Sequence, residues 1–333
     1  MRLENILALT HGKLINDPFV KNFQSIVFDV KHVKRGDLFI AFDEDMIESA
    51  IVNGAYGVIF DKPTQITDTE IAWVQVQDCE DALKRLLRFR LIDKDILVYR
   101  CNEIVLKLSL QVITDSNFIV VHGDIKSIHK QLWDLNDNTT LLFCPSMCDE
   151  NLFTNVKELL VHEASSIEVI EQTLFETSFI YDNIFYERQL ISPFFMPYLE
   201  ELLWLYKTLK INYRLRKFTP IDHFEAVFTN KNFEIKEFGT SDKVLIFEPN
   251  STLIDVEIAF LQKKATWAKS IYLIPQAIEG VDSENIFVYE NTSKILPILK
   301  NNNFHFALIA GVDKSFLSKP IASQAQINLF DFK

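Results

Sequence analysis

The chain has 333 residues, of which 48% are hydrophobic and 24% charged, and its net charge at neutral pH is −12. That length predicts two or three domains with real cores, and the acidic balance argues against nucleic acid as the main partner. No apolar run approaches the roughly 18–20 residues a membrane-spanning helix needs. The opening stretch, MRLENILALTHGK, lacks the apolar centre of a secretory leader, so the expectation is a cytoplasmic protein.

Residues 1–90 read as a small α/β unit. Arg2–Leu9 is a short helix, Ser25–Asp29 a strand, and Val33–Asp37 a turn into the strand Leu38–Phe42. Met46–Asn53 has helical spacing and stops at Gly54; strands Gly57–Asp61 and Ala72–Val76 and the helix Cys79–Arg90 follow. Residues 94–240 form a middle region. Ile96–Arg100, Phe118–His122 and Thr140–Cys144 read as strands, with helices Ile104–Ile113 and Ile125–Leu135 between them, a βαβ pattern. Phe153–Leu160, Ser166–Phe175 and Pro197–Leu209 read as helices, and Thr219–Phe238 as a β-hairpin turning at Asn230–Lys231–Asn232. Residues 242–325 alternate again: strand Lys243–Phe247, helix Leu253–Ala268, strands Ser270–Ile274 and Asn285–Tyr289, helix Ser293–Asn301 and strand His305–Ala310. That pattern predicts a doubly wound, Rossmann-like domain, followed by a loosely packed extension beyond Pro320.

The four cysteines, Cys79, Cys101, Cys144 and Cys148, are too scattered for a disulfide framework. Cys144 and Cys148, even with His122, His129 and His162, lack zinc-site spacing, so buried thiols are expected and no metal. Phenylalanine is abundant at 28, which predicts aromatic cores, and glycine scarce at 8. The run FFMPYLEELLWLYKTL reads as a core helix, or else as a partner-binding one. Tyr213–Lys217 is the one basic cluster: a solvated face by default, or a site for an anionic ligand or acidic partner.

Two segments carry a family resemblance. Ser25–Phe42, SIVFDVKHVKRGDLFIAF, and Ala50–Asp61, AIVNGAYGVIFD, resemble the first domain of the Mur ligases of the MurE/MurF type, with Asp29, Lys31, Gly36, Asp37, Leu38, Phe39 and Ala41 in register. More weakly, Phe247–Glu248–Pro249–Asn250–Ser251 resembles the strand–helix junction of the last domain in that family, and the region of Gly311 its final unit. The resemblance implies a three-domain α/β Mur-ligase-like architecture, divided as 1–90, 94–240 and 242–325, with a reduced central domain and a Rossmann-like last one. It also implies a partner: a UDP-linked peptidoglycan precursor or a protein of cell-wall synthesis.

The chemistry of that family needs a glycine-rich phosphate cradle, a lysine and a magnesium carboxylate. The place for the cradle is Val98–Lys107, VYRCNEIVLK, which holds no glycine, and no G-x-x-x-x-G-K-[ST] occurs anywhere. The strand Thr140–Cys144 ends in Cys-Pro-Ser, without a carboxylate. Gly123–Asp124–Ile125–Lys126–Ser127 is either a remnant anion site at a helix start or a plain strand–helix turn. The precursor-binding residues have also changed: Asp29–Val30–Lys31 stands where the family has an arginine fork, and Asp43–Glu44–Asp45 would repel a pyrophosphate.

The expected candidates for ligand contact are Asp29, Lys31, Gly123, Asp124, Lys126, Ser127, Glu248 and Asn250, with no catalytic residue and no cofactor. The resulting expectation is a non-catalytic homologue that binds a ligand or partner. The alternatives are an active ligase or other enzyme with a rebuilt site, and a purely structural partner exposing an apolar patch near Phe194 or Trp204.

Overall fold

A computed structural model describes residues 1–159, 166–237, 239–275 and 285–317. The expected extension beyond Pro320, together with His162 and Phe238, lies outside the described residues. The chain divides into two compact units: one holds Met1–Leu106 and Thr114–Leu159, the other the described residues of Lys107–Ile113 and Leu160–Lys333.

In the first unit the elements run α1 (Leu3–Thr10), β1 (Lys13–Leu14), β2 (Ile26–Val27), β3 (Leu38–Ala41), α2 (Ile47–Val52), β4 (Gly57–Phe60), β5 (Ala72–Gln75) and α3 (Cys79–Ile92). After them come β6 (Ile96–Arg100), α4 (Glu103–Val112), β7 (Phe118–Val120), α5 (Ile125–Leu132), β8 (Thr139–Phe143) and β9 (Val156–Glu158). The last turns of α4 belong to the second unit. Strands β1-β5-β4-β3-β2 form one sheet, parallel except for β1, and β7-β8-β6-β9 form a second, wholly parallel sheet.

The turn before β3 shows why the G-D-L-F motif folds as it does. Gly36 sits at φ +97°, in the left-handed region open to glycine. Asp37 is buried, and its carboxylate accepts the Lys34 amide at 2.8 Å, closing the turn on itself. Helix α3 starts under an Asp78 cap that accepts the amides of Glu80 and Asp81. Its buried stripe, Leu83, Leu86 and Leu87, joins Ile6 of α1, Ile128 of α5 and Leu141 of β8 in one continuous core. Both sheets of this unit therefore share an interior.

The second unit opens with β10 (Glu168–Gln172), β11 (Thr177–Tyr181), β12 (Ile184–Gln189) and α6 (Met196–Leu209). It continues with β13 (Glu225–Thr229), β14 (Lys243–Glu248), α7 (Ile254–Lys264), β15 (Ser270–Ile274), β16 (Ile286–Val288), α8 (Ile295–Asn301) and β17 (Phe306–Ala310). Strands β10-β11-β12 make an antiparallel meander. Strands β13-β14-β17-β15-β16 make an open sheet, parallel except for β13. The strand–helix alternation and the parallel pairing expected over 242–325 are present in its described residues.

Three expectations need correction. Ser166–Phe175 is not a helix but contains β10, all of whose residues are exposed; the i, i+3 spacing of Ile167 and Ile170 imitates a helix, while pairing to β11 decides the structure. Phe153–Leu160 is not a helix either: a single turn at Glu150–Leu152 precedes β9, which pairs with β6. The hairpin expected at Thr219–Phe238 is reduced to β13, whose antiparallel partner is β14, with an isolated bridge from Thr229 to Ile235. The true hairpin joins β11 to β12 through Asp182 and Asn183, both at positive φ, the residue pair a tight two-residue turn favours.

Candidate functional site

In the first unit the sequence candidates form one cluster. Asp29 heads a one-turn helix, accepting the Lys31 amide at 3.0 Å and meeting His32 Nδ1 at 3.0 Å. The Lys31 amide, with His32 and Lys130 adding to it, holds the Asp29 carboxyl below its usual range. Gly123, at φ +95°, ends the turn after β7, and Asp124 caps α5 by accepting the Ser127 amide at 2.8 Å. Hydrogen bonding to Ser127 lowers the Asp124 carboxyl, and Lys126 and Lys130 lower it further. Lys130 thus acts on both Asp29 and Asp124, so the two motifs, distant in sequence, share one electrostatic neighbourhood.

Aromatic rings line this cluster. The Lys126 ammonium stands 3.9 Å from the Phe42 ring centre and that of Lys130 5.4 Å from Phe28. Beneath them His129 stacks on Trp133 at 4.5 Å and meets Phe28 edge-on. Burial pushes the His129 imidazole down to about 4, so it is neutral near pH 7.

Glu248 and Asn250 lie in the second unit, in a different setting. Glu248 ends β14, fully buried. Its carboxylate accepts three donors: His223 Nδ1 at 2.8 Å, the Asn250 amide at 2.7 Å and the Phe224 amide at 3.1 Å. His223, also fully buried, accepts at Nε2 from the Lys107 ammonium at 2.9 Å, and Lys107 bonds Asp222 at 2.8 Å. Burial alone would raise the Asp222 carboxyl, but its bond to Lys107 outweighs that and leaves it lowered. Asn250 caps the turn into α7 by accepting the Thr252 amide at 3.0 Å.

Glu257 adds a second buried carboxyl. It lies on the apolar stripe of α7 with Ile254, Ile258 and Leu261, and neither oxygen has a hydrogen-bond partner among the described residues. Burial, then the charge of Glu248, pushes Glu257 up to about 11, so it holds a proton at neutral pH. One chain of groups therefore runs Asp222–Lys107–His223–Glu248, with protonated Glu257 beside it. It can hold and relay a proton, and it fixes the His223 tautomer.

Of this network only Glu248 was a sequence candidate. Lys107 is 116 residues from His223, a pairing no local pattern encodes. Glu257 was legible in principle, as a carboxylate on an otherwise apolar helical stripe.

At the end of β6, the place where the resemblance led to the expectation of a phosphate cradle, side chains pair with one another. Arg100 pairs with Glu150 at 3.0 Å and also with Glu158. Asn102 caps α4 by accepting the Val105 amide at 2.9 Å, and Glu103 puts a negative charge in the first helical turn. At the end of β8, Cys144 Sγ meets Ser146 Oγ at 3.1 Å, and Ser146 reaches Glu103 at 3.5 Å. Cys101 and Cys144 are buried; so is Cys148, whose thiol burial raises to about 12.

The other marked segments take structural places. In the basic cluster Tyr213 stacks on Tyr206 and bonds the Tyr181 hydroxyl at 2.9 Å, leaving Arg214, Arg216 and Lys217 exposed. Phe194 is buried against Phe195 and Phe224, and α6 buries Leu199, Leu202, Leu203 and Tyr206.

No family model matches this chain, and no curated protein matches it. Solved structures do align with it. MurF from Acinetobacter baumannii aligns over 93% of this chain and 95% of its own, at 11% identity and a TM-score of 0.49. The MurF ligase from Thermotoga maritima, in complex with ADP, aligns over 88% and 95%, at 12% identity and a TM-score of 0.47. A UDP-N-acetylmuramoyl-L-alanyl-D-glutamate–2,6-diaminopimelate ligase aligns at 10% identity with a TM-score of 0.33. These are low-identity likenesses over most of the chain and carry no information on activity.

Proposed function

We propose that the chain is a non-catalytic, cytoplasmic relative of the Mur ligases, organised as 1–90, 94–240 and 242–325. In this reading it binds a UDP-linked peptidoglycan precursor or a cell-wall synthesis protein. The observation that carries the loss of ATP chemistry is the end of β6. A nucleotide needs free amides and free positive charge there. Instead Asn102 satisfies an amide of α4, Glu103 sets a negative charge beside it, and Glu150 and Glu158 neutralise Arg100. These residues do not fit ATP.

The cluster of Asp29, Lys31, Gly123, Asp124, Lys126 and Ser127 supports the binding half of the proposal. Lys126 and Lys130 stand over aromatic rings, an arrangement suited to an anionic group beside a planar one. Within the described residues no helix is long and apolar enough to cross a membrane.

A second reading, an enzyme with a rebuilt site, is favoured by the buried chain from Asp222 to Glu248. One thermal-shift plate separates the two, because a ligand that binds the folded state raises its melting temperature. The first reading expects a shift with a UDP-MurNAc-peptide, none with ATP–magnesium, and no phosphate release when both are present with an amino acid or dipeptide. ATP turnover under those conditions would overturn it.

A further inference from the structure

The second unit also contains a cavity that the buried network does not explain. It has a volume of about 150 Å³ and lies beside β13 and the segments flanking β11 and β12. Its walls include Phe175, Phe195, Phe224 and Phe228, and its lining includes Glu176 and Glu225. Phe175 organises the rings, edge-on to Phe228 at 5.8 Å and tilted against Phe224 at 6.0 Å. His223 also lines the cavity, but its two ring nitrogens are engaged by Glu248 and Lys107.

The acids of this lining are held differently from the bases that pair with them. The Glu225 side chain is only 10% exposed, while Lys314, which bonds it at 2.7 Å, is 63% exposed. Glu176 pairs in the same way with the largely exposed Arg188 at 3.4 Å. Both carboxylates are fixed in the wall, and both cations arrive from solvent on long, flexible stems. The aromatic faces carry negative quadrupole and the carboxylates full negative charge, so both select for a cation and against an anion.

We propose that this cavity binds a small organic cation: an ammonium group on a short apolar body. The ammonium takes the place of Lys314 at Glu225, and the body packs among the phenylalanines. An apolar cavity of about 150 Å³ takes a molecule of about benzene's size, so butylammonium or tetramethylammonium is within its capacity. The inference is independent of the precursor reading, which concerns the other unit.

The test is a titration of the full chain with n-butylammonium, tetramethylammonium, n-butanol and butyrate, read by ligand-observed NMR. Butylammonium is expected to bind saturably and at least tenfold more tightly than butanol, with no binding of butyrate. Glu225→Gln should reduce the preference for the cation several-fold while leaving butanol unchanged. Phe175→Ala should weaken both, and Lys314→Ala should strengthen butylammonium severalfold by freeing its carboxylate. Equal binding of butanol and butylammonium would mean an apolar cavity without selectivity and would overturn the proposal, as would binding of neither. If a substituted chain fails to fold, the comparison of probes on the native chain decides alone.

Discussion

The His223 imidazole and the Glu248 carboxylate meet at 2.8 Å with neither side chain exposed to solvent. The pair ties His223, two residues before β13, to the last residue of β14, two strands that already run antiparallel. It therefore acts as a polar lock inside an otherwise apolar sheet.

Replacing Glu248 with alanine should be costly. It leaves His223 Nδ1 and the Phe224 and Asn250 amides without their acceptor. Removing one partner of a buried pair typically costs about 3–5 kcal/mol. Urea denaturation should show a loss of that order, and a loss below about 1 kcal/mol would mean that water replaces the carboxylate.

Glu257 should make the protein less stable as pH rises. The unfolded carboxyl titrates near 4.5, and the folded one is raised to about 11. Below the lower value both states are protonated and the contribution is intact. Above it the unfolded chain gives up a proton that the folded chain keeps, so stability falls across the window, by at most about 1.4 kcal/mol per pH unit. Glu257→Gln should flatten the dependence and gain stability relative to the native chain between pH 6 and 9. Parallel stability curves for the two would refute the assignment.

His129 should act in the opposite direction and in the other unit. Its unfolded value is near 6.5 and its folded value about 4. The folded state keeps the ring neutral, so its contribution is full above 6.5 and is lost as pH falls toward 4. Trp133 stacks on this ring at 4.5 Å, so its fluorescence should report the event. In His129→Phe the acid-side loss should shrink; an unchanged acid limb would place the titration elsewhere.

Asp124 should matter to local stability through its cap. Asp124→Ala removes the acceptor for the Ser127 amide and should cost about 1 kcal/mol. Asp124→Asn should recover most of that loss, because the amide oxygen can still accept. Equal losses in both variants would point to charge rather than capping.

Much of the parallel-sheet scaffold was legible because its strands are short apolar runs set between capped helices. Leu38–Ala41, Gly57–Phe60, Lys243–Glu248 and Phe306–Ala310 all fall where such runs predict them. The meander β10–β12 was not legible in the same way. Its outer strands β10 and β12 are largely exposed, so charged residues interrupt the alternation on either side of the buried β11, and the Asp182–Asn183 turn is the clearest local signal of the hairpin. The candidate residues divided likewise. Asp124 carried a local cap pattern and could be read directly, whereas Asp29, expected at the end of a strand, instead caps a one-turn helix. His223, Lys107 and Glu257 acquire meaning only when distant segments close on one another, and that closure is set by core packing rather than by any motif.

The arginine at the end of β6 has a bearing on how an edge strand is held. Among the described residues strand β9 is at the sheet edge, paired with β6, and Arg100 fastens the two through Glu158 while also holding Glu150. Without the guanidinium, Glu150 and Glu158 would be left as two uncompensated negative charges at that strand end. All three side chains are partly exposed, so the fastening is open to screening by salt. The edge of this sheet is therefore held by charge as well as by backbone pairing, and its grip should loosen as ionic strength rises.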